Sequence, residues 1–224
     1  MRVSGKNVFN EIDPKSVRKV YLSSNFKDQN IMNKIKESGL KYILTDPKVM
    51  DKMALHNQGI IVEINDYNYG SLDDISNEDN YILMLDHLED PHNFGAIIRS
   101  AEARGIKHII IPKDRSVVVN ETVMKISTGA LSRVNIIMVN NLVNAINYLK
   151  DKGFFIYAAE ADGEDYRHVD YADKKCLIIG SEGFGLSRLV RENSDVIISI
   201  PMKGKVNSLN ASVSTGILLF GIGE

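Results

Sequence analysis

Three stretches of the sequence gather side chains able to bind ligands and move protons. The first, Asp86-His87-Leu88-Glu89-Asp90-Pro91-His92-Asn93-Phe94-Gly95, continues into Ala96-Ile97-Ile98-Arg99-Ser100-Ala101. A turn there leads into a helix near Asn93, whose side chain can cap it. Arg99 interrupts a largely apolar helix, so its side chain must either snorkel or face a cleft. A guanidinium so placed suits a phosphate, which it can hold by two parallel hydrogen bonds. The second stretch, Leu177–Leu186, sets Gly180, Gly183 and Gly185 around Ser181, Glu182 and Phe184. Three glycines in six residues mark tight turns, or a backbone that something approaches closely. Glu182 between them is either a site carboxylate or a solvated turn residue. The third stretch, Ile198–Ser212, passes Pro201 and Gly204 and then offers Asn207, Ser208, Asn210 and Ser212. Ser208 or Asn207 can cap the helix that follows, but one cap needs fewer groups than these. The free N–H groups of a helix start also favour an anion.

Other chemistries lack their residues. There is no G-x-G-x-x-G after a strand, no G-x-x-x-x-G-K-[ST], no H-E-x-x-H and no G-x-S-x-G, which disfavours a standard dinucleotide fold, a P-loop NTPase, a zincin and a serine hydrolase. His87 and His92 sit among acidic residues, but five positions apart across Pro91 is a poor ligand spacing, and no metal is expected. His56, His108 and His168 read as surface or packing residues. The single cysteine, Cys176, excludes an intramolecular disulfide and reads as a small core residue.

The elements that must position these loops are legible from periodicity. From Tyr81 onward, short apolar runs (Tyr81–Leu85, His108–Ile111, Ile136–Val139, Phe154–Ala158, Leu177–Ile179, Val196–Ile200) are mostly separated by amphipathic segments (Asn93–Arg104, Glu121–Ser127, Leu142–Lys150, Leu186–Glu192, Leu209–Phe220). That alternation predicts an α/β domain over 80–224, a parallel sheet with helices on both faces and ligands at the carboxyl ends of its strands. Residues 1–64 predict a smaller α/β unit, and 65–79, rich in Asn, Asp, Ser and Tyr, a linker.

Of the 224 residues, 44% are hydrophobic and 25% charged, enough apolar mass to exclude a mainly disordered chain. No apolar run reaches the ~18–20 residues of a membrane span, and Met1–Lys6 leads into polar sequence rather than a signal peptide. A cytoplasmic protein with no membrane partner is expected. Net charge is −2, yet residues 1–66 carry 11 basic and 8 acidic residues, or +3. That asymmetry fits either a polyanion partner or ordinary surface charge.

D-P-H-N-x-G-A-x-x-R-S-A at 90–101, I-G-S-E-G-x-G at 179–185 and I-P-M-x-G-x-V-x-S-L-N-x-S-V-x-T-G at 200–216 resemble the three ordered motifs of the SpoU/TrmH family, ribose 2′-O-methyltransferases of RNA in the SPOUT superfamily. Ser127-Thr128-Gly129-Ala130-Leu131 resembles a further small-residue segment of that family. The front part is similar to the small substrate-binding domain, related to ribosomal protein L30e, of the subgroup that modifies a guanosine of 23S ribosomal RNA.

The resemblance implies a C-terminal deep trefoil knot, S-adenosyl-L-methionine as cofactor and a homodimer. It implies cofactor contacts by Thr128, Gly129, Ala130, Gly180, Ser181, Glu182, Gly183, Ile200, Met202, Ser208 and Leu209. It places Arg99, Asn93, Glu182, Ser208 and Asn210 in the catalytic site. Arg99 would be either a phosphate-assisted proton acceptor or a phosphate clamp, since a free arginine is too basic to take a proton. The implied reaction is methylation of a guanosine ribose in 23S rRNA. A transfer-RNA guanosine, or an RNA-binding or ribosome-assembly factor without activity, are the alternatives.

Overall fold

The computed structural model describes residues 1–223. In chain order its elements are β1 (Arg2–Ser4), α1 (Lys6–Glu11), β2 (Val17–Ser23), α2 (Gln29–Glu37), β3 (Tyr42–Thr45), α3 (Pro47–Met53), β4 (Ile60–Ile64), β5 (Tyr81–Asp86), α4 (Pro91–Ala103), β6 (His108–Pro112), α5 (Glu121–Ser127), β7 (Asn135–Val139), α6 (Leu142–Asp151), β8 (Phe155–Asp165), β9 (Lys175–Gly180), α7 (Arg188–Asn193), β10 (Val196–Ser199) and α8 (Ala211–Gly221). They form two compact units, one of residues 1–68 and 119–132, the other of 69–118 and 133 onward. Among the described residues, no helix is long and apolar enough to cross a membrane.

The first unit is a four-stranded sheet in the order β1-β4-β2-β3, with β4 antiparallel to β1 and β2, and β2 parallel to β3. Val3, Phe9, Leu22, Ile31, Ile35 and Ile60 make its core. It also takes in α5, from the far half of the sequence. Met124 packs on that core, and Ser4 Oγ lies 2.7 Å from Glu121 Oε1 and accepts from Lys125 Nζ at 2.9 Å.

The second unit is an all-parallel sheet in the order β10-β8-β9-β5-β6-β7, six strands among the described residues. Successive strand residues face opposite sides. Ile82, Met84, Ile110, Ile156, Ala158 and Ile178 pack with α6 residues Leu142, Ala145, Ile146 and Leu149. The alternate set, Leu83, Leu85, Ile109, Ile111, Leu177 and Ile179, is equally buried. α4 and α8, which pack on each other, cover that second face, α8 against β9. Both faces are thus closed, which is why the strands read as continuous apolar runs rather than alternating ones.

Two features depart from the sequence expectations. The stretch 65–79 is structured at its second half. Gly70 bridges to Ile137, Leu72–Asp74 forms a short 3-10 turn, and Ile75 is buried in the main core. Asp79 accepts from Ser76 N and Oγ, both at 2.8 Å, and faces His108 Nε2 at 3.2 Å and Lys107 Nζ at 3.3 Å. β8 runs to Asp165 instead of stopping at Ala158, because its pairing with β10 shifts register between Ile197 and Ile198 and then resumes. Gly163 permits the close crossing there, since a Cβ would lie 2.6 Å from the Ile198 carbonyl carbon.

From β10, at the edge of the sheet, the chain returns to bury α8 over α4. Arg104 secures that helix end, donating from Nε to Leu219 O (2.9 Å) and from an Nη to Gly223 O (3.0 Å). Gly221 passes against the Tyr166 ring, part of the β8–β9 connection, close enough that a Cβ would stand 2.5 Å from the ring.

Candidate active site

The loops after β5, β9 and β10 meet at a single point. Asp86 ends β5, and Asp90, not Asn93, caps α4, accepting from His92 N at 2.9 Å with Pro91 in the first helical position. Asn93 is therefore free of the capping role that the sequence allowed it. It sits buried in the first turn of α4 and donates from Nδ2 to Glu182 Oε1 at 2.6 Å. Asn210 donates from Nδ2 to the same oxygen at 2.9 Å and to Asn93 Oδ1 at 3.0 Å. The Ala211 N–H adds a third contact to Glu182 Oε1 at 3.3 Å. Asn210 also caps α8, its Oδ1 accepting from Ser212 N and Val213 N, so this cap is neither Ser208 nor Asn207. One asparagine thus fixes both a helix start and a site carboxylate, while Glu182 Oε2 is left for a ligand.

Gly180 makes the loop possible. The chain turns back so that Ser181 and Gly185 exchange two 3.0 Å backbone hydrogen bonds. A Cβ on Gly180 would lie 2.4 Å from the Gly185 carbonyl carbon, a contact no side chain tolerates.

This hairpin stands between two cavities. The first, about 260 Å³, is walled by Ile179, Ile198, Ile200, Met202, Leu209 and Leu218, with Gly180, Ser181, Glu182, Asn207 and Ser208 at its polar side. The second, about 680 Å³, is bounded by residues 86–90, Arg115 and residues 181–187. Ser181, Glu182 and Gly185 line both.

Of the residues expected at the cofactor, Gly180, Ser181, Glu182, Ile200, Met202, Ser208 and Leu209 line the first cavity, whereas Gly183 lines only the second. Thr128, Gly129 and Ala130 line neither; they belong to the first unit, where Thr128 (φ 43°) and Gly129 (φ 79°) form the left-handed turn that ends α5, with Gly129 against Glu11. In this structure the small-residue run forms a helix terminus. The sequence reading missed Ala159, Glu160 and Ala161, which wall the first cavity from the extended part of β8, Glu160 paired with Arg191. A strand read only by its apolar run ends too early to reveal them.

Arg99 is not brought to the cluster. It lies on the exposed stripe of α4 with His92 and Ala103, and its guanidinium makes no hydrogen bond or ion pair among the described residues. Six residues from Asn93 means about 9 Å along the helix and roughly 120° around it. Among the described residues, no group of three or more His, Cys, Asp or Glu side chains is placed to hold a metal ion.

The sequence pattern of the SpoU rRNA Methylase family matches residues 80–220, and that of an RNA 2′-O ribose methyltransferase substrate-binding domain matches residues 6–70. A Bacillus subtilis protein, YacO, assigned to the TrmH family of tRNA/rRNA methyltransferases, is 38% identical over 98% of this chain and 94% of its own. A Staphylococcus aureus (strain MSSA476) protein assigned to the same family is 40% identical over 92% of this chain and 88% of its own. Among solved structures, the SpoU methyltransferase AviRb of Streptomyces viridochromogenes, in complex with the cofactor AdoMet, superposes with a TM-score of 0.87 at 21% identity, covering 99% of this chain and 88% of its own.

Proposed function

The chain belongs to the SpoU rRNA methylase family, and from that premise we propose that it uses S-adenosyl-L-methionine to methylate a ribose 2′-hydroxyl of structured RNA, a guanosine of 23S rRNA. The observation that carries this is the convergence of Asn93, from the first turn of α4, and Asn210, at the start of α8, on Glu182, which lines the first cavity. That cavity fits the cofactor's chemistry. Its walls offer apolar side chains and backbone for a neutral base and a methionine side chain, and hold carboxylates but no Lys or Arg to repel the sulfonium. Ile200, Met202 and Leu209 would hold the apolar parts, and Gly180, Ser181 and Ser208 the polar ones. When bound, the cofactor supplies a methyl group on a strongly electrophilic sulfonium.

The protein's own task is alignment and charge placement. Asn93 and Asn210 hold Glu182 through one oxygen, so the other would accept a hydrogen bond from the ribose hydroxyl, fix the direction of its lone pair and take its proton as the new C–O bond forms. Arg99 clamps the phosphate beside that ribose; its guanidinium stays charged and takes no proton. Because Arg99 lines neither cavity and makes no bond to its own chain's cluster, we place it in the site of a second copy. Val213, Ile217 and Phe220 form an exposed apolar stripe at i, i+4 and i+7 on α8, beside α4, and this stripe is the proposed homodimer face. The return of α8 past the β8–β9 connection is the place where the C-terminal knot would close. The substrate-binding pattern over residues 6–70 supports the first unit as the RNA-holding domain.

Incubating the protein with methyl-labelled cofactor and either 23S rRNA or transfer RNA, then digesting to nucleosides, tests this. Labelled 2′-O-methylguanosine from 23S rRNA is expected. Label in tRNA alone would move the substrate to tRNA, and no label in either would make the chain a binding factor.

A further inference from the structure

The second cavity, on the far side of the Glu182 hairpin, has polar groups that nothing in the fold uses. Phe184 stands at the hairpin tip, 95% exposed between Gly183 and Gly185, and lines this cavity without being packed. His87 and Arg115, at its rim, both adopt left-handed backbone conformations (φ 57° and 51°). Few non-glycine residues adopt this region, and two of them face this one cavity. His87 is held there through its own neighbour. Asp86, buried, accepts from Ser187 N at 2.6 Å and lies 2.5 Å from His87 Nδ1, which leaves the Nε2 edge for a ligand. Glu89 and Arg115 are exposed and make no hydrogen bond or ion pair among the described residues.

An exposed aromatic face, a free carboxylate and a free guanidinium around one cavity match one kind of ligand. RNA bases turned out of their helix stack on aromatic side chains and are read by hydrogen bonds along their edges. Guanine presents two adjacent N–H donors on one edge, suited to a carboxylate, and acceptors on the other, suited to Arg or His. We propose that this cavity receives the guanine of the target nucleotide, stacked on Phe184 and read by Glu89, with Arg115 and His87 at its acceptor edge. The hairpin then separates base from cofactor, with Glu182 in reach of both. That this base is the one whose ribose is methylated rests on the function proposed above.

The chain contains no tryptophan, so Phe184→Trp makes a single reporter at the cavity rim. Titration with guanosine 5′-monophosphate is expected to quench its fluorescence saturably, ribose 5-phosphate is expected to leave it unchanged, and adding Glu89→Gln is expected to weaken the nucleotide about tenfold. A Leu55→Trp control, exposed in the other unit, is expected to show only linear quenching. In turnover, Phe184→Ala is expected to raise KM for RNA about tenfold, within the range for one stacked base, with cofactor affinity unchanged. Absent or non-saturable quenching, quenching equal to that of the control, or indifference to Glu89→Gln would overturn the proposal. Methyl transfer to RNA alongside any of those results would leave the enzyme function intact. Saturable quenching without methyl transfer would keep the base site and refute the function.

Discussion

Glu182 carries the site's geometry through one oxygen and its chemistry through the other. Glu182→Gln keeps an acceptor for Asn93 and Asn210 but removes the charge that draws in the ribose hydroxyl. Turnover is expected to fall about 10²-fold with cofactor affinity within a few-fold of wild type, measured by single-turnover methylation and calorimetry. Loss of cofactor binding in that variant would instead make Glu182 a cofactor residue only. In the sequence Glu182 stands out as a carboxylate between glycines at a strand end and Asn210 as one of more polar groups than a cap needs, whereas Asn93 reads as a helix cap, and only the family resemblance joins the three. Which asparagine caps which helix was not legible. Asp90 outcompetes Asn93, and Asn210 outcompetes Ser208 and Asn207, because the cap goes to whichever side chain the incoming loop places over the first free N–H groups, and that placement is tertiary.

At the level of elements, the parallel sheet and its helices follow directly from apolar runs alternating with amphipathic segments, and their observed bounds differ by a few residues. The departures have a common cause. Residues 69–79, the length of β8 beyond Ala158 and the placement of α5 all depend on long-range partners, such as Ile137 for Gly70, β10 for the end of β8, and Met124's core neighbours for α5. Polar composition cannot tell a tethered loop from a free linker. Asp79 shows the tether. Burial alone would raise its pKa, but hydrogen bonds from Ser76 and the nearby Lys107 and His108 charges outweigh that and hold it below the usual carboxylate range. A depressed folded-state value stabilises the fold above the unfolded pKa of about 3.9 and ceases to do so as pH falls through the folded value. Asp79→Asn is therefore expected to lower stability by about 1–3 kcal/mol at pH 7. The difference from wild type should shrink below about pH 4, as read by urea unfolding at both pH values. An equal loss at pH 7 and pH 3 would assign the effect to packing alone.

For the whole molecule, the position of Arg99 is the informative result. Its type and spacing marked it in the sequence, but the structure shows it exposed on α4, lining neither cavity and making no bond to the cluster it was expected to join. If each site borrows Arg99 from a second copy, Arg99→Ala and Glu182→Ala chains are each inactive alone, yet complement one another when mixed. Random reassociation puts both intact groups in one of the two sites of half the dimers, so about one quarter of wild-type activity is expected. No recovery on mixing would return Arg99 to its own chain.

The central claim is that turns far apart in the chain build a cofactor cradle whose shape depends on the bare backbone at Gly180. Calorimetric titration with S-adenosyl-L-methionine tests it most directly, comparing wild type with Gly180→Ala. One saturable site per chain is expected in the wild type. The variant, whose new Cβ has only the Gly185 backbone to meet, is expected to lose at least tenfold in affinity while remaining folded by circular dichroism. A wild-type chain that takes up no cofactor, or a variant that binds it equally well, would contradict the account.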